Sequence, residues 1–391
     1  MAVEIFVSVL PGEIRAAAVR DGALDDLLVL REGPAGNRDI EAGDLFLAKV
    51  KRFDKGLDGA FVDLGLERDG LLPRREMTDE VPPEGAAVTV KVLRVPSEDK
   101  GARVSARGVA ADTKGLKAPA RLAAGPGALG DLVARTQPQR IVCDDAALLK
   151  DLKSRAGADC AAALHSAATP LFEAEGLEAE VEALLLPRVN LPGGGFLLIE
   201  PGQTLTAIDV NAGSSDGRGG PAAQARAVNR AAVPVIARHL RLRALSGLIV
   251  VDFLAVKAPE ERKALAAALR EAVAGDPEPC QVFGVSPSGL LEMTRRRGRA
   301  PLHEILCRPC GIAGSGREKT PETLAYEALR ATAAGALGQV VTTITLKAAP
   351  AVAVALAGPQ AAALAAVEHR LGRAVEVVAD PLVETYALVL N

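Results

Sequence analysis

The 391-residue sequence has no tryptophan, 2 tyrosines and 8 phenylalanines, so its 49% hydrophobic content is overwhelmingly aliphatic. No apolar run reaches the ~18 residues that a membrane-spanning helix requires. The opening MAVEIFVSVLPGEIR has neither the basic n-region nor the long apolar core of a secretory signal. These absences predict a soluble, cytoplasmic protein with no membrane-spanning segment. Cysteine is scarce and odd in number: Cys143, Cys160, Cys280, Cys307 and Cys310 are scattered, which excludes a disulfide framework. Charge of either sign lacks a clear excess, 46 basic against 49 acidic residues, so any nucleic-acid-binding surface must be local. No internal repeat is visible. The length itself predicts two to four domains.

The sequence does carry a clear order of patterns. Residues 1–42 contain three short strand-like runs, VEIFVSVL, EIRAAAVRDG and ALDDLLVLRE, separated by Pro-Gly and Asp-Gly turn signals. Residues 43–105 continue with strands at short spacing punctuated by glycine, which predicts a small barrel. Residues 106–116 form a short polar link, and 117–190 mix strand and helix. Residues 191–300 alternate strands with amphipathic helices, as in an α/β layer. After a cysteine-containing loop, the last part, from 317 to 391, reads as a small α+β unit.

The candidate chemistry sits in two apolar strands that each carry an acid near the end. TLTAIDVNAG contains Asp209 and GLIVVDF ends near Asp252. A carboxylate inside an apolar strand is expected to be buried, and burial without a partner costs several kcal/mol, about 2–7 for a polar group and more for a charge. If the strands are neighbours, the acids meet where ligands of open α/β sheets collect. A divalent cation such as Mg2+ would reconcile the two charges. Asn211, two residues beyond Asp209, shares its face and can orient a carboxylate or a water. A turn or capping role for either acid is the plain alternative. Between the strands runs ARAVNRAAVPVIARHLRLR, rich in arginine and free of acids, with Arg241 and Arg243 near its end. Arg295 belongs to TRRRGR. The two runs predict a track for a phosphate backbone, against the alternative of a solvated charged face. Cys307-Arg-Pro-Cys310 offers two of the four ligands of a structural zinc site, and a redox pair or chance spacing is the alternative.

Taken in order, GGGFLLIEPGQTLTAIDVNAG, VIARHLRLRALSGLIVVDF, GLLEMTRRR and CRPC resemble the catalytic core of the ribonuclease E/G family. GDLFLAKVKRFDKGLDGAFVDLGLERDGLLP resembles that family's S1 domain, an OB-type RNA-binding barrel. The similarity spans nearly the whole chain. It implies a Mg2+-dependent endoribonuclease that cuts single-stranded RNA and leaves 5′-phosphate and 3′-hydroxyl ends. By resemblance, Asp209 and Asp252 hold the metal and Asn211 supports them.

The implied architecture is multi-domain, α/β and β. It has an RNase H-like support subdomain (1–42 and 117–190) and an S1 barrel (43–105). A DNase I-like α/β catalytic subdomain (191–300), a zinc-link (301–316) and a small α+β domain (317–391) follow. The resemblance implies a Zn2+ shared by Cys307 and Cys310 of two chains in a homodimer. It also implies RNA contacts at Phe61 and Lys100. Three departures stand out. Only 106–116 occupies the place of the family's 5′-monophosphate sensor, Leu71 stands where a second barrel aromatic is usual, and Pro287 or Ser288 replaces the arginine before GLLEM. The rival readings are an RNA-binding protein on the same fold that cuts poorly, and a different metal phosphoesterase acting on DNA.

Overall fold

The computed structural model describes residues 2–31, 40, 43–78, 81–94, 101–109, 113–123, 127–213, 220–255, 258–286, 288–311, 316–337, 339 and 341–391. The chain divides into two compact units. One comprises Met1–Arg31, Gln139–Leu149 and Ala161–Asn391; the other comprises Glu32–Pro138 and Lys150–Cys160.

The larger unit holds two large sheets. The first has five strands in the order Ala161–Leu164, Arg140–Cys143, Val3–Leu10, Glu13–Arg20, Ala23–Arg31. The last three form an antiparallel meander through the predicted turns, while Arg140–Cys143 runs parallel to Val3–Leu10. The three strands of the meander are buried almost continuously through their middles, as in Phe6, Val7, Ala16, Ala17, Leu27 and Leu28, whereas the edge strand Ala161–Leu164 is mostly exposed.

A buried charge cluster ties this sheet to a C-terminal helix. Glu13 receives Arg15, Arg31 and Arg330, the last from helix Pro321–Ala336. Burial alone would push the Glu13 carboxyl up, but the guanidiniums of Arg15, Arg330 and Arg31 outweigh it and hold the group at about 2.

The second sheet has six strands in the order Arg188–Asn190, Phe196–Pro201, Leu205–Asn211, Gly247–Asp252, Leu290–Arg295, Cys280–Val285. Only Leu205–Asn211 and Gly247–Asp252 are parallel; the other neighbours are antiparallel. Helix Pro221–Leu242 makes the parallel crossover, and helix Pro259–Ala272 packs beside it. Their apolar stripes, including Ile236, Leu240 and Leu269, meet Ile208, Val210, Ile249, Val251 and Met293 in one core. Inward residues alternate with outward ones along the central strands, so this sheet buries one face and leaves the other open.

The chain ends in a three-stranded sheet, Glu376–Ala379, Ile344–Ala348, Tyr386–Leu390, packed with helices Pro321–Ala336, Pro350–Ala357 and Ala361–Leu371. Among the described residues no single helix is long and apolar enough to cross a membrane.

The smaller unit is built on a closed five-stranded barrel formed by Leu45–Asp54, Gly59–Asp63, Gly70–Pro73, Arg103–Ser105 and Ala87–Arg94. Phe46, Val50, Val62, Leu72, Val90 and Val104 fill it. One boundary differs from the sequence reading, which began a support segment at residue 117. Ala120–Ala123 pairs instead with Leu45–Leu47 and extends the barrel sheet. The first half of Leu45–Asp54 has its outer edge free after pairing with Ala87–Arg94, and a short strand there satisfies its backbone groups.

Because the folded value of Glu13 lies below its ordinary value of 4.5, its contribution is complete above about pH 4.5 and is lost as pH falls toward about 2. Glu13→Gln should therefore cost about 3 kcal/mol at neutral pH. The gap between variant and parent should narrow in acid. Urea denaturation at neutral pH and near roughly pH 3 measures both, and a gap independent of pH would contradict the network's role.

Candidate active site

Asp209 lies on the open face of the six-stranded sheet, not in its interior. Thr206, Ile208 and Val210 point into the helix-covered core, whereas Ala207 and Asp209 alternate outward and are exposed. The expectation of a buried carboxylate fails because the apolar character of TLTAIDV belongs to one face only. Asp252 is likewise exposed, after inward Ile249 and Val251.

Register does the rest. Leu205–Asn211 and Gly247–Asp252 run parallel with Asp209 directly beside Asp252, and neighbouring strands lie about 4.8 Å apart. The two carboxylates thus stand side by side on one face. Among the described residues neither forms an ion pair. Asn211 Nδ2 donates to Asp209 Oδ2 at 2.7 Å, which fixes one carboxylate against its strand.

Two features hold the strand ends. Gly213, at φ +59°, lies so close to the Gly194 carbonyl that a Cβ would sit 2.2 Å from that oxygen, and a Cβ on Gly195 would meet the Asn211 carbonyl at 2.8 Å. The glycine loop before Phe196 therefore packs backbone to backbone against the end of the Asp209 strand. On the other strand, the buried Asn229 of helix Pro221–Leu242 donates to the Leu254 carbonyl at 2.8 Å and accepts from the Leu254 amide at 3.0 Å. This double hydrogen bond sets the chain two residues past Asp252, and the sequence reading did not single it out.

An adjacent, unneutralised carboxylate pair suits a hard divalent cation such as Mg2+, which takes one or two carboxylates and keeps waters or phosphate oxygens elsewhere. Among the described residues no group of three or more His, Cys, Asp or Glu gathers for a metal.

Residues 112–298 match the model described as Ribonuclease E/G family, and residues 39–107 match the S1 RNA binding domain. The chain carries a ribonuclease E/G family domain together with an S1 domain. It is 26% identical to Ribonuclease G of Salmonella typhimurium (strain SL1344) over 490 aligned positions that cover 98% of each chain. It is 27% identical to Ribonuclease G of Haemophilus influenzae, covering 84% of this chain and 87% of the relative. Ribonuclease E of Escherichia coli (strain K12) is 36% identical over 170 residues, 43% of this chain and 16% of the relative. The 490 aligned positions of the Salmonella relative exceed the 391 residues here, so that relative carries insertions this chain lacks.

The arginines expected to track RNA are largely committed elsewhere. Arg295 is buried, forked onto Asp276 and donating to the Leu245 carbonyl at 3.0 Å. Arg243 is buried and donates to His239 Nδ1 at 3.1 Å. Arg241 is paired with Asp25 at 2.7 Å. Arg238, Arg296, Arg297 and Arg299 are matched by Glu180, Glu278, Glu304 and Asp26. An acid-free stretch of sequence is not an acid-free environment, because the counter-ions come from other segments. His239, pushed down to about 3 by burial and by Arg243 and Arg238, is neutral and not a solvent-facing base.

The barrel offers positive charge in their stead. Register places Arg52, Phe61, Leu71, Arg103 and Arg94 in one row across five strands. Phe61 is half-buried between inward Ala60 and Val62, with the Arg52 guanidinium 4.4 Å from its ring centre. Arg94 and Arg103 join Phe61 only through strand pairing, which no linear spacing displays. Lys100 and Pro287 lie outside the described residues. Ser288, beside the Asp252 strand end, shares a 2.8 Å hydrogen bond with Ser286.

Cys307–Cys310 forms a strand paired with Gly316–Lys319. Along such a ladder residues three apart face opposite ways, and Cys307 packs against the five-stranded sheet's core. The two thiols therefore do not converge on one ion in this conformation.

Arg295→Ala should act on stability, costing about 3–5 kcal/mol, because it strands Asp276 in the interior. Thermal denaturation checks this. Weakened RNA binding with an unchanged melting temperature would return Arg295 to the RNA surface.

Proposed function

We propose that this enzyme of the ribonuclease E/G family cuts single-stranded RNA internally, with Mg2+ held at Asp209 and Asp252, and leaves 5′-phosphate and 3′-hydroxyl ends. The observation that carries the reading is the direct pairing of Asp209 with Asp252 on an open sheet face. In bound form the metal would lower the pKa of a coordinated water and offset charge on the phosphoryl oxygens. The chain's own residues supply the frame. Asn211 holds Asp209 through the 2.7 Å hydrogen bond, so that one carboxylate edge stays turned outward. Asn229 and the Gly194–Gly195 loop keep the two strand ends in register. The S1 barrel, by its Arg52–Phe61–Arg103 row, suits the backbone and bases of an extended strand. The DNase I-like and RNase H-like assignments of the two large sheets belong to this reading, supported by their strand orders.

A Zn2+ shared between two chains in a homodimer is a companion proposal. It rests on Cys307 and Cys310 and requires their ladder to rearrange on dimer formation. Metal analysis and sizing of the parent and of the Cys307→Ser, Cys310→Ser variant test it, and a zinc-free dimer would refute it.

Asp209→Asn and Asp252→Asn should each lower Mg2+-dependent cleavage of a single-stranded RNA by about 10³-fold, with melting temperature and RNA affinity nearly unchanged. A variant that cuts normally, or that unfolds, would place these acids in a structural role. The short 106–116 link should also leave the enzyme blind to the 5′ end. Matched substrates with 5′-monophosphate and 5′-hydroxyl should react within about threefold, below ~0.7 kcal/mol on the barrier. A tenfold preference for the monophosphate would show that a sensor exists elsewhere.

A further inference from the structure

One cation on the open face of the catalytic sheet is unlike the rest. Arg188 stacks its guanidinium 3.7 Å from the centre of the Phe196 ring. Its hydrogen bond is a long one, 3.4 Å to Asn190 Oδ1. Among the described residues no carboxylate pairs with it, in contrast to Arg238, Arg241, Arg295, Arg296, Arg297 and Arg299. Arg188 is exposed and Phe196 half-buried, so the pair forms a flat step rising from the sheet.

That step adjoins the acids. Phe196 lies directly opposite Asn211, the residue that holds Asp209, and Asp209 is its diagonal neighbour, about 7–8 Å away. Arg188 stands in the same register row as Leu198, Asp209 and Asp252.

We propose that Arg188 and Phe196 form a stacking subsite for one nucleobase of the RNA, next to the phosphate that a divalent cation at Asp209 and Asp252 would hold. The proposal rests on the ribonuclease reading for the phosphate but not for the stack. A planar cation lying flat on a ring keeps its outer face and its N–H edge available, the first for a base and the second for a phosphate oxygen. Stacking on a planar face tolerates any base, so the stack itself selects for the presence of a base more than for its identity.

An abasic scan tests this. A short labelled single-stranded RNA carries one abasic nucleotide at each position in turn. Binding is measured by anisotropy in chelator and cleavage in Mg2+. The parent protein should lose affinity roughly tenfold at one position next to the cut, the size of one lost stack. Phe196→Ala and Arg188→Ala should bind intact RNA about tenfold more weakly and show no further loss at that position. Phe196→Tyr should restore the parent pattern. If the alanine variants keep the same abasic penalty as the parent at every position, the subsite does not exist. Should Phe196→Ala unfold, Arg188→Ala, at an exposed site, decides alone. If the parent cuts no RNA, the ribonuclease reading fails, while the binding scan still decides the subsite.

Discussion

The structure depends on one pairing register. Leu205–Asn211 and Gly247–Asp252 are the only parallel neighbours in their sheet, and their alignment sets two carboxylates beside one another without a counter-charge. A slip of one residue would turn the whole strand over and send Asp209 into the helix-covered core. The inward methyls of Ile208, Val210, Ile249 and Val251 prevent that, since each would then face solvent. Hydrophobic packing on one face thus enforces an electrostatically unfavourable arrangement on the other. The repulsion between the carboxylates is small beside the buried area that holds the register.

Cationic groups are divided between two uses. Several arginines lock segments together: Arg295 onto Asp276, Arg299 onto Asp26, Arg241 onto Asp25, Arg330 onto Glu13. These pairs are partly or wholly buried, where breaking one partner is costly and replacing both is not. Surface cations for which no carboxylate partner is found among the described residues include Arg188 on the sheet and Arg94 and Arg103 on the barrel. In a chain of net charge −3 any RNA-binding surface must be local.

Much of the geometry of the candidate site was legible. Asp209, Asn211 and Asp252 stand out by their position at the ends of apolar strands, and strands alternating with helices announce the layer that carries them. What misled was the equation of an apolar strand with a doubly buried one. TLTAIDV keeps period-2 alternation through Thr206, Ile208 and Val210, which marks a half-buried strand, and that period was available in the sequence. The arginine runs misled for a different reason. Their acids, Asp25, Asp26, Asp276 and Glu304, are tens to hundreds of residues away in most cases, and linear spacing does not display a pair closed by folding.

By itself the sequence determined the order of units, the barrel, the two acid-bearing strands and the family. These follow from local propensity, periodicity and motif order, which are properties of neighbours along the chain. Only the tertiary structure decided that Asp209 is exposed, that it stands beside Asp252, that Asn229 clamps the loop after Asp252, and that Arg188 lies on Phe196. It also turned the Cys307–Cys310 thiols to opposite faces of a hairpin. Each of these is set by which strand pairs with which, and at what register. That choice is made by the summed burial of side chains remote in sequence, so no single segment contains it.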